Sequence, residues 1–168
     1  MQGQLKVYIT GMSGTGKSTV LRELAAHGHK AVDTDSDVWS EWVPLPDGSA
    51  DWVLREQAMQ ELLANHTEGK LFVAGCKSNQ GQFYRHFDHI VLLSAPAPIL
   101  LDRIAKRTNN PYGKKEEERE QILNYLVTVE PLLRATATEE IDASLPLDEV
   151  VRRLEGLEEP ASRAVPLG

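Results

Sequence analysis

The stretch "GMSGTGKST", Gly11–Thr19, constrains this chain more than any other part of it. Gly11, Gly14, Gly16, Lys17 and Ser18 fit the pattern G-x-x-x-x-G-K-[ST], with the apolar run "LKVYIT" before it and "VLRELAA" after it. A loop of this kind curls its backbone N–H groups inward around a phosphate, which requires residues free to take positive φ. A helix that opens at its end aims its positive pole at the same anion. Lys17 can reach terminal phosphates, and the Ser18 hydroxyl can ligate Mg²⁺. The segment therefore predicts a nucleoside triphosphate site built from Gly11, Met12, Ser13, Gly14, Thr15, Gly16, Lys17, Ser18 and Thr19.

The rest of the chain is read around that loop. Strands are predicted at 5–10, 30–35, 70–75, 88–96 and 139–144, and helices at 17–28, 51–66 and 98–107, with a closing helix in "LDEVVRRLEGL". "SDVWSEWV" reads as a turn or two of helix closed by the loop "PLPDGS", and "EEEREQILNYLVTVEPLLRAT" as one long helix bent near Pro131. Strands alternate with helices five times. That order predicts an α/β fold of three layers, a five-stranded parallel sheet flanked by helices, with one domain over 1–157 and a loose tail over 158–168. Ligands gather at the carboxyl ends of such strands. There the sequence puts "GMSGTGKS", "DTD", "GCKSNQG", "SAPAP" and "SLP".

Composition narrows the partners. Across 168 residues, 18 Lys and Arg stand against 25 Asp and Glu, a net charge of −7, which predicts no nucleic-acid partner. No apolar run approaches the ~18 residues a membrane helix needs. "LKVYI", interrupted by Lys6, is too short for a signal sequence. Cys76 is the single cysteine, so no intramolecular disulfide forms, and a cytoplasmic location is expected. The five histidines show no metal-ligand spacing and read as structural.

A phosphate loop does not name a reaction. The N-K-x-D and D-x-x-G patterns of GTPases and the L-S-G-G-Q-like signature of ABC-type ATPases are absent from the sequence. The acids follow the second strand. Asp33 and Asp35 are two apart, so in extended chain they face the same way. One is suited to hydrated magnesium and the other to a substrate hydroxyl, whereas Asp37 caps a helix. Arg103 and Arg107 share a helix face. They either flank the transferring phosphoryl group or form a solvated face beside Asp102. Trp39, Trp42 and Trp52 either stack on a flat substrate or form a small local core. Lys77, Ser78 and Asn79 offer donors to an acceptor.

The run "ITGMSGTGKSTVLRELAAHGHKAVDTDSD" resembles the opening of shikimate kinases and gluconate kinase-like enzymes, relatives of nucleoside and nucleoside-monophosphate kinases. The likeness continues through "DWVLREQ", "FDHIVLLSAPAPILLDRIAKR" and "EIDASLPLDEVV" and covers nearly the whole domain, the phosphate loop being its one highly specific motif. The resemblance implies a P-loop NTPase fold with a substrate-binding segment over 36–66 and a lid over 108–117. It implies that Lys17 bridges the β- and γ-phosphates, that Ser18 ligates Mg²⁺ and that Asp33 holds the metal through water. Asp35 would orient the substrate hydroxyl, Arg55 would contact the substrate, and Arg107 and Pro146 would enclose the adenine. Two departures bear on the acceptor. "GCKSNQG" stands where shikimate kinases carry a glycine triplet. Glu130 of "VEPLLR" stands where they carry an arginine, so a shikimate carboxylate would lose a partner.

The expectation is an ATP- and Mg²⁺-dependent kinase, with Lys17, Asp35 and Arg103 at the reacting centre and Trp39, Arg55, Lys77 and Asn79 around the acceptor. It moves the γ-phosphoryl group to a small metabolite such as a nucleoside, nucleotide, sugar or polyol, as a monomer or homodimer. The rival expectation is a slowly hydrolysing nucleotide switch that signals to a protein partner.

Overall fold

The computed structural model describes residues 4–108 and 110–158. Five parallel strands form the central sheet: β1 (Gln4–Thr10), β2 (Lys30–Asp33), β5 (Gly69–Ala74), β6 (His89–Ser94) and β7 (Glu139–Asp142). Their order across the sheet is β2-β5-β1-β6-β7. All five strands lie where the sequence predicts them. The helices are α1 (Lys17–Ala26), α2 (Glu56–Asn65), α3 (Ala97–Lys106), α4 (Glu116–Thr128), α5 (Glu130–Thr136) and α6 (Leu147–Glu155), with a 3₁₀ helix over Gln80–His86.

Strand alternation divides the core in two. Val7 and Ile9 of β1 face one way, onto Leu24 of α1 and Val151 and Leu154 of α6. Tyr8 faces the other way, onto Met59 of α2 and Phe83 and Phe87 near the 3₁₀ helix. β1 is thus covered on both faces, which is why its sequence reads as an almost unbroken apolar run. From β1 the chain moves to one side for β2 and β5, then crosses to the other for β6 and β7. The loops after β1 and β5 therefore diverge at the carboxyl edge, the position at which such sheets bind ligands.

Two local predictions are corrected. Residues 40–54 form an antiparallel hairpin, β3 (Ser40–Pro44) with β4 (Ala50–Leu54), and only 56–65 of the predicted helix 51–66 is helical. The hairpin turn holds Asp47-Gly48, with Gly48 at φ 90° and the Ser49 N–H donating to Asp47 Oδ1 at 2.9 Å. Asp-Gly between alternating Trp and Val is a hairpin signal, and the cross-strand pair Trp42–Trp52 stabilises it. The predicted long helix divides into α4 and α5 at Val129. Pro131 then falls in the first turn of α5, where its missing N–H costs nothing. Of the predicted tail over 158–168, only Glu158 lies within the described residues. Among the described residues, no helix is long and apolar enough to cross a membrane.

Candidate active site

The loop between β1 and α1 has the conformation its glycines predict. Gly16 precedes α1 at φ 90°, a region side-chain-bearing residues rarely take. Gly11 lies so close to β6 that a Cβ there would sit 2.5 Å from the Leu93 carbonyl oxygen. The first turn of α1 has no side-chain cap and no acidic residue, so its N–H groups are left for an anion. The Lys17 ammonium is folded back, donating to the carbonyls of Gly11 at 2.6 Å and Met12 at 3.1 Å. Its burial pushes its pKa down. The buried Thr15 hydroxyl donates to the Met12 carbonyl at 2.9 Å, while Thr19 is exposed.

The two aspartates are set by the residue between them. Thr34 is fully buried, and its N–H and hydroxyl both donate to the Ala74 carbonyl, at 3.1 and 2.8 Å. Ser40 donates to the Thr34 carbonyl at 2.6 Å. With Thr34 pinned inward, its neighbours face the loop. The Ser18 hydroxyl donates to Asp33 Oδ2 at 2.7 Å, and the Asp35 N–H donates to Asp33 Oδ1 at 3.0 Å. Asp35 pairs with the ammonium of Lys77, a side chain only 5% exposed that arrives from the end of β5. Two hard oxygens on Ser18 and Asp33 at hydrogen-bond distance, beside a phosphate cradle, fit the ligand chemistry of Mg²⁺.

Two cavities meet at this point. One, of about 390 Å³, is lined by the phosphate loop, Arg103, Arg107, Leu145 and Val150. The other, of about 220 Å³, is lined by Met12, Cys76, Lys77, Tyr112, Ile122 and Tyr125. Ser13, Lys17 and Asp35 line both. Arg103 spans the first cavity's wall, donating to the Ala143 carbonyl at 2.6 Å and the Gly14 carbonyl at 3.4 Å. Arg107 donates to the carbonyls of Asn110 at 3.1 Å and Tyr112 at 2.6 Å, and burial lowers its pKa. Pro146 opens α6 between Leu145 and Leu147, which both line the larger of the two cavities.

Three residues expected around the acceptor, Trp39, Arg55 and Asn79, line neither of these two cavities. Trp39 packs against the core below the hairpin and lines a separate hollow with Leu62 and His66. Arg55 donates to the Asp37 carbonyl at 2.7 Å and pairs with Glu41 at 3.5 Å. Asn79 clamps the end of β4, accepting from the Leu54 N–H at 2.9 Å and donating to the Leu54 carbonyl at 3.0 Å. The hairpin explains all three placements. It lies where helix was expected: Arg55 and Asn79 are tied to its strands and Trp39 to the core below it, and none of the three lines the shared wall. Trp42 and Trp52 pack on each other with tilted rings, centroids 5.0 Å apart, and Trp42 is 66% exposed.

Sequence reasoning missed Gln80. It is buried, accepts from the Tyr8 hydroxyl at 2.9 Å and the Lys77 N–H at 2.8 Å, and donates to Thr10 at 3.0 Å and Tyr84 at 2.7 Å. It thereby fixes the backbone from which Lys77 reaches Asp35. Its only sequence signal is its place in "GCKSNQG", directly after a strand. Tyr112 and Tyr125 were also missed as lining residues, since the segment before α4 and α4 itself meet at the cavity only in the fold. Glu130 lines neither cavity. It pairs with Arg134 at 3.1 Å, and Arg134 also pairs with Glu140 at 2.9 Å.

A parallel sheet in this strand order, with a phosphate loop after its central strand and an aspartate on the wall between two cavities, defines the class: the P-loop small-molecule kinases. The chain belongs to the family described as AAA domain, which matches residues 7–124. It is 26% identical to a shikimate kinase of Chromohalobacter salexigens, over 95% of this chain and 97% of that protein. It is 27% identical to shikimate kinase 2 of Yersinia enterocolitica, over 88% and 92%. The fold is that of shikimate kinase from Acinetobacter baumannii in complex with shikimate, with TM-score 0.65, 19% identity and coverage of 90% and 91%. A gluconokinase from Sinorhizobium meliloti 1021 matches with TM-score 0.55, 19% identity and 90% of each chain.

Proposed function

We propose that this kinase moves the γ-phosphoryl group of ATP to a hydroxyl of a small molecule held in the 220 Å³ cavity. One observation carries the reading: Lys17 and Asp35 line both cavities, so donor and acceptor would meet across a single wall. The nucleotide takes the larger of the two cavities, its phosphates on the loop N–H groups and the start of α1. Lys17 turns from the Gly11 and Met12 carbonyls to the terminal phosphates, and Arg103 adds positive charge from its place beside Gly14. Ser18 and Asp33 would hold Mg²⁺, which when bound neutralises charge on the phosphates.

Asp35 accepts the hydrogen bond of the acceptor hydroxyl and takes its proton. The acceptor oxygen–phosphorus bond forms as the bond from the γ-phosphorus to the β–γ bridging oxygen breaks, and ADP leaves with that oxygen. Lys77 holds the carboxylate in position. Tyr112 brings the lid segment over the acceptor, and water is excluded from the transfer. The protein's contribution is positioning and charge stabilisation, as phosphoryl transfer requires. The relatives, named as kinases, do not favour the switch reading.

The test is Asp35→Asn. Acceptor-stimulated ADP release should fall by about 10²–10⁴-fold, the usual contribution of a positioned base, while the ATP analogue binds as before. Undiminished acceptor-stimulated turnover in this variant would refute the assignment.

A further inference from the structure

We infer that the acceptor is uncharged and presents an apolar or aromatic face, and that Tyr112 and Tyr125 select it. This inference rests on the kinase reading and names its substrate class. A buried carboxylate or phosphate on the acceptor needs a cation not already engaged. The two cations lining the acceptor cavity are Lys17 and Lys77. Lys17 serves the nucleotide phosphates. Lys77 is almost wholly buried and paired with Asp35, so its charge is neutralised within the wall.

The arginines nearby are engaged as well. Arg103 and Arg107 line the other cavity and donate to backbone carbonyls. Arg55 pairs with Glu41 outside the acceptor cavity. Arg134 lies between Glu130 and Glu140. Among the described residues, no arginine lines the acceptor cavity.

What the cavity offers instead is apolar surface. The rings of Tyr112 and Tyr125 supply it, with the nearly fully buried Met12 and Ile122 also in the wall. The tyrosine wall is built into the resting fold. Gly113 packs so tightly that a Cβ would lie 2.5 Å from Ile104 and 2.9 Å from Ile122, and its N–H donates to Glu118 at 3.1 Å. The Tyr112 hydroxyl is held by Gln121, which leaves its ring as the available surface. Aromatic faces with one carboxylate suit a ring-bearing alcohol whose hydroxyl reaches Asp35.

The test uses the full chain and matched probes that differ in charge: shikimate against its methyl ester, gluconate against sorbitol, and thymidine monophosphate against thymidine. Thermal stabilisation with a non-hydrolysable ATP analogue and ADP release with ATP are read for each. At least one uncharged member should exceed its anionic partner in kcat/KM by at least about tenfold, because an uncompensated buried charge is costly. Tyr125→Ala should then cut that member's stabilisation severalfold, with the response to the ATP analogue alone as the check on folding. If an anionic member is preferred, or if Tyr125→Ala leaves the uncharged member unaffected, the inference falls and the kinase reading stands. If no probe of either charge stimulates ADP release, both fall together.

Discussion

Gly75, directly after β5, offers a test of how the fold sets the aspartates. A Cβ added there would lie 2.1 Å from the Thr34 hydroxyl oxygen and 3.0 Å from the Tyr8 hydroxyl. Gly75 is needed for space, not for a left-handed backbone, since its φ is not positive. In Gly75→Ala, Thr34 must move. Overpacking of this kind costs about 1–3 kcal/mol. Displacing the buried Thr34–Ala74 hydrogen bond of 2.8 Å adds about 1 kcal/mol. A total near 3 kcal/mol should lower the melting temperature by about 6–12 °C in a chain of this size. Because Thr34 separates Asp33 from Asp35, kcat should fall as well. Thr34→Ala alone should cost about 1 kcal/mol, since the Ala74 carbonyl keeps the Thr34 N–H. The double variant removes the collision with the Thr34 hydroxyl and loses its hydrogen bond only once, so its loss should be smaller than the sum of the two single losses by about 2–3 kcal/mol. Urea denaturation of all four proteins measures this cycle. Strict additivity, or a Gly75→Ala protein with unchanged melting and turnover, would refute the reasoning.

Gln80→Leu should destabilise the chain by about 2–4 kcal/mol in urea titration, because it orphans buried partners on Tyr8, Thr10 and the Lys77 backbone. It should also raise KM for the acceptor more than for ATP. A second prediction concerns pH and the contact of His27 and His29 with Glu155, which ties the end of α1 to α6 at 3.0 and 2.8 Å. The Glu155 hydrogen bond raises the His27 pKa above 6.5, so this contribution is complete below 6.5 and is lost as pH rises through the folded value. His29, followed by His27, lowers the Glu155 pKa below 4.5, so that contribution is present above 4.5 and is lost as pH falls through its folded value. The cluster should therefore add most to stability between about pH 4.5 and 6.5, and Glu155→Gln should flatten this part of the melting profile; an unchanged profile would remove the cluster from the account.

The features legible in the sequence are those set by neighbours along the chain. The loop from Gly11 to Ser18 is local: glycine φ, a lysine and a helix start within nine residues dictate a phosphate cradle wherever the segment folds. β1, β5 and β6 were legible as short apolar runs bounded by turn residues, and the alternation of strands with helices, which includes the more polar β2 and β7, dictated a parallel sheet. Asp33 and Asp35 were legible as a pair because strand geometry orients residues i and i+2 alike. The hairpin at 40–54 was misread because its Trp and Val positions also satisfy a helical period, and only pairing of β3 with β4 decides between the two. That choice tied Arg55 and Asn79 to the strands of the hairpin and left Trp39 packed on the core below it. Lys77 reaches Asp35 across 42 positions of sequence, Gln80 binds Tyr8 across 72, and Tyr112 and Tyr125 reach the cavity of Met12 from the segment before α4 and from α4. Such contacts depend on which strands are neighbours and which way each side chain faces, and those quantities exist only once the sheet is assembled. The chain's local chemistry determined that a phosphate is held, and the tertiary structure decided what stands opposite it.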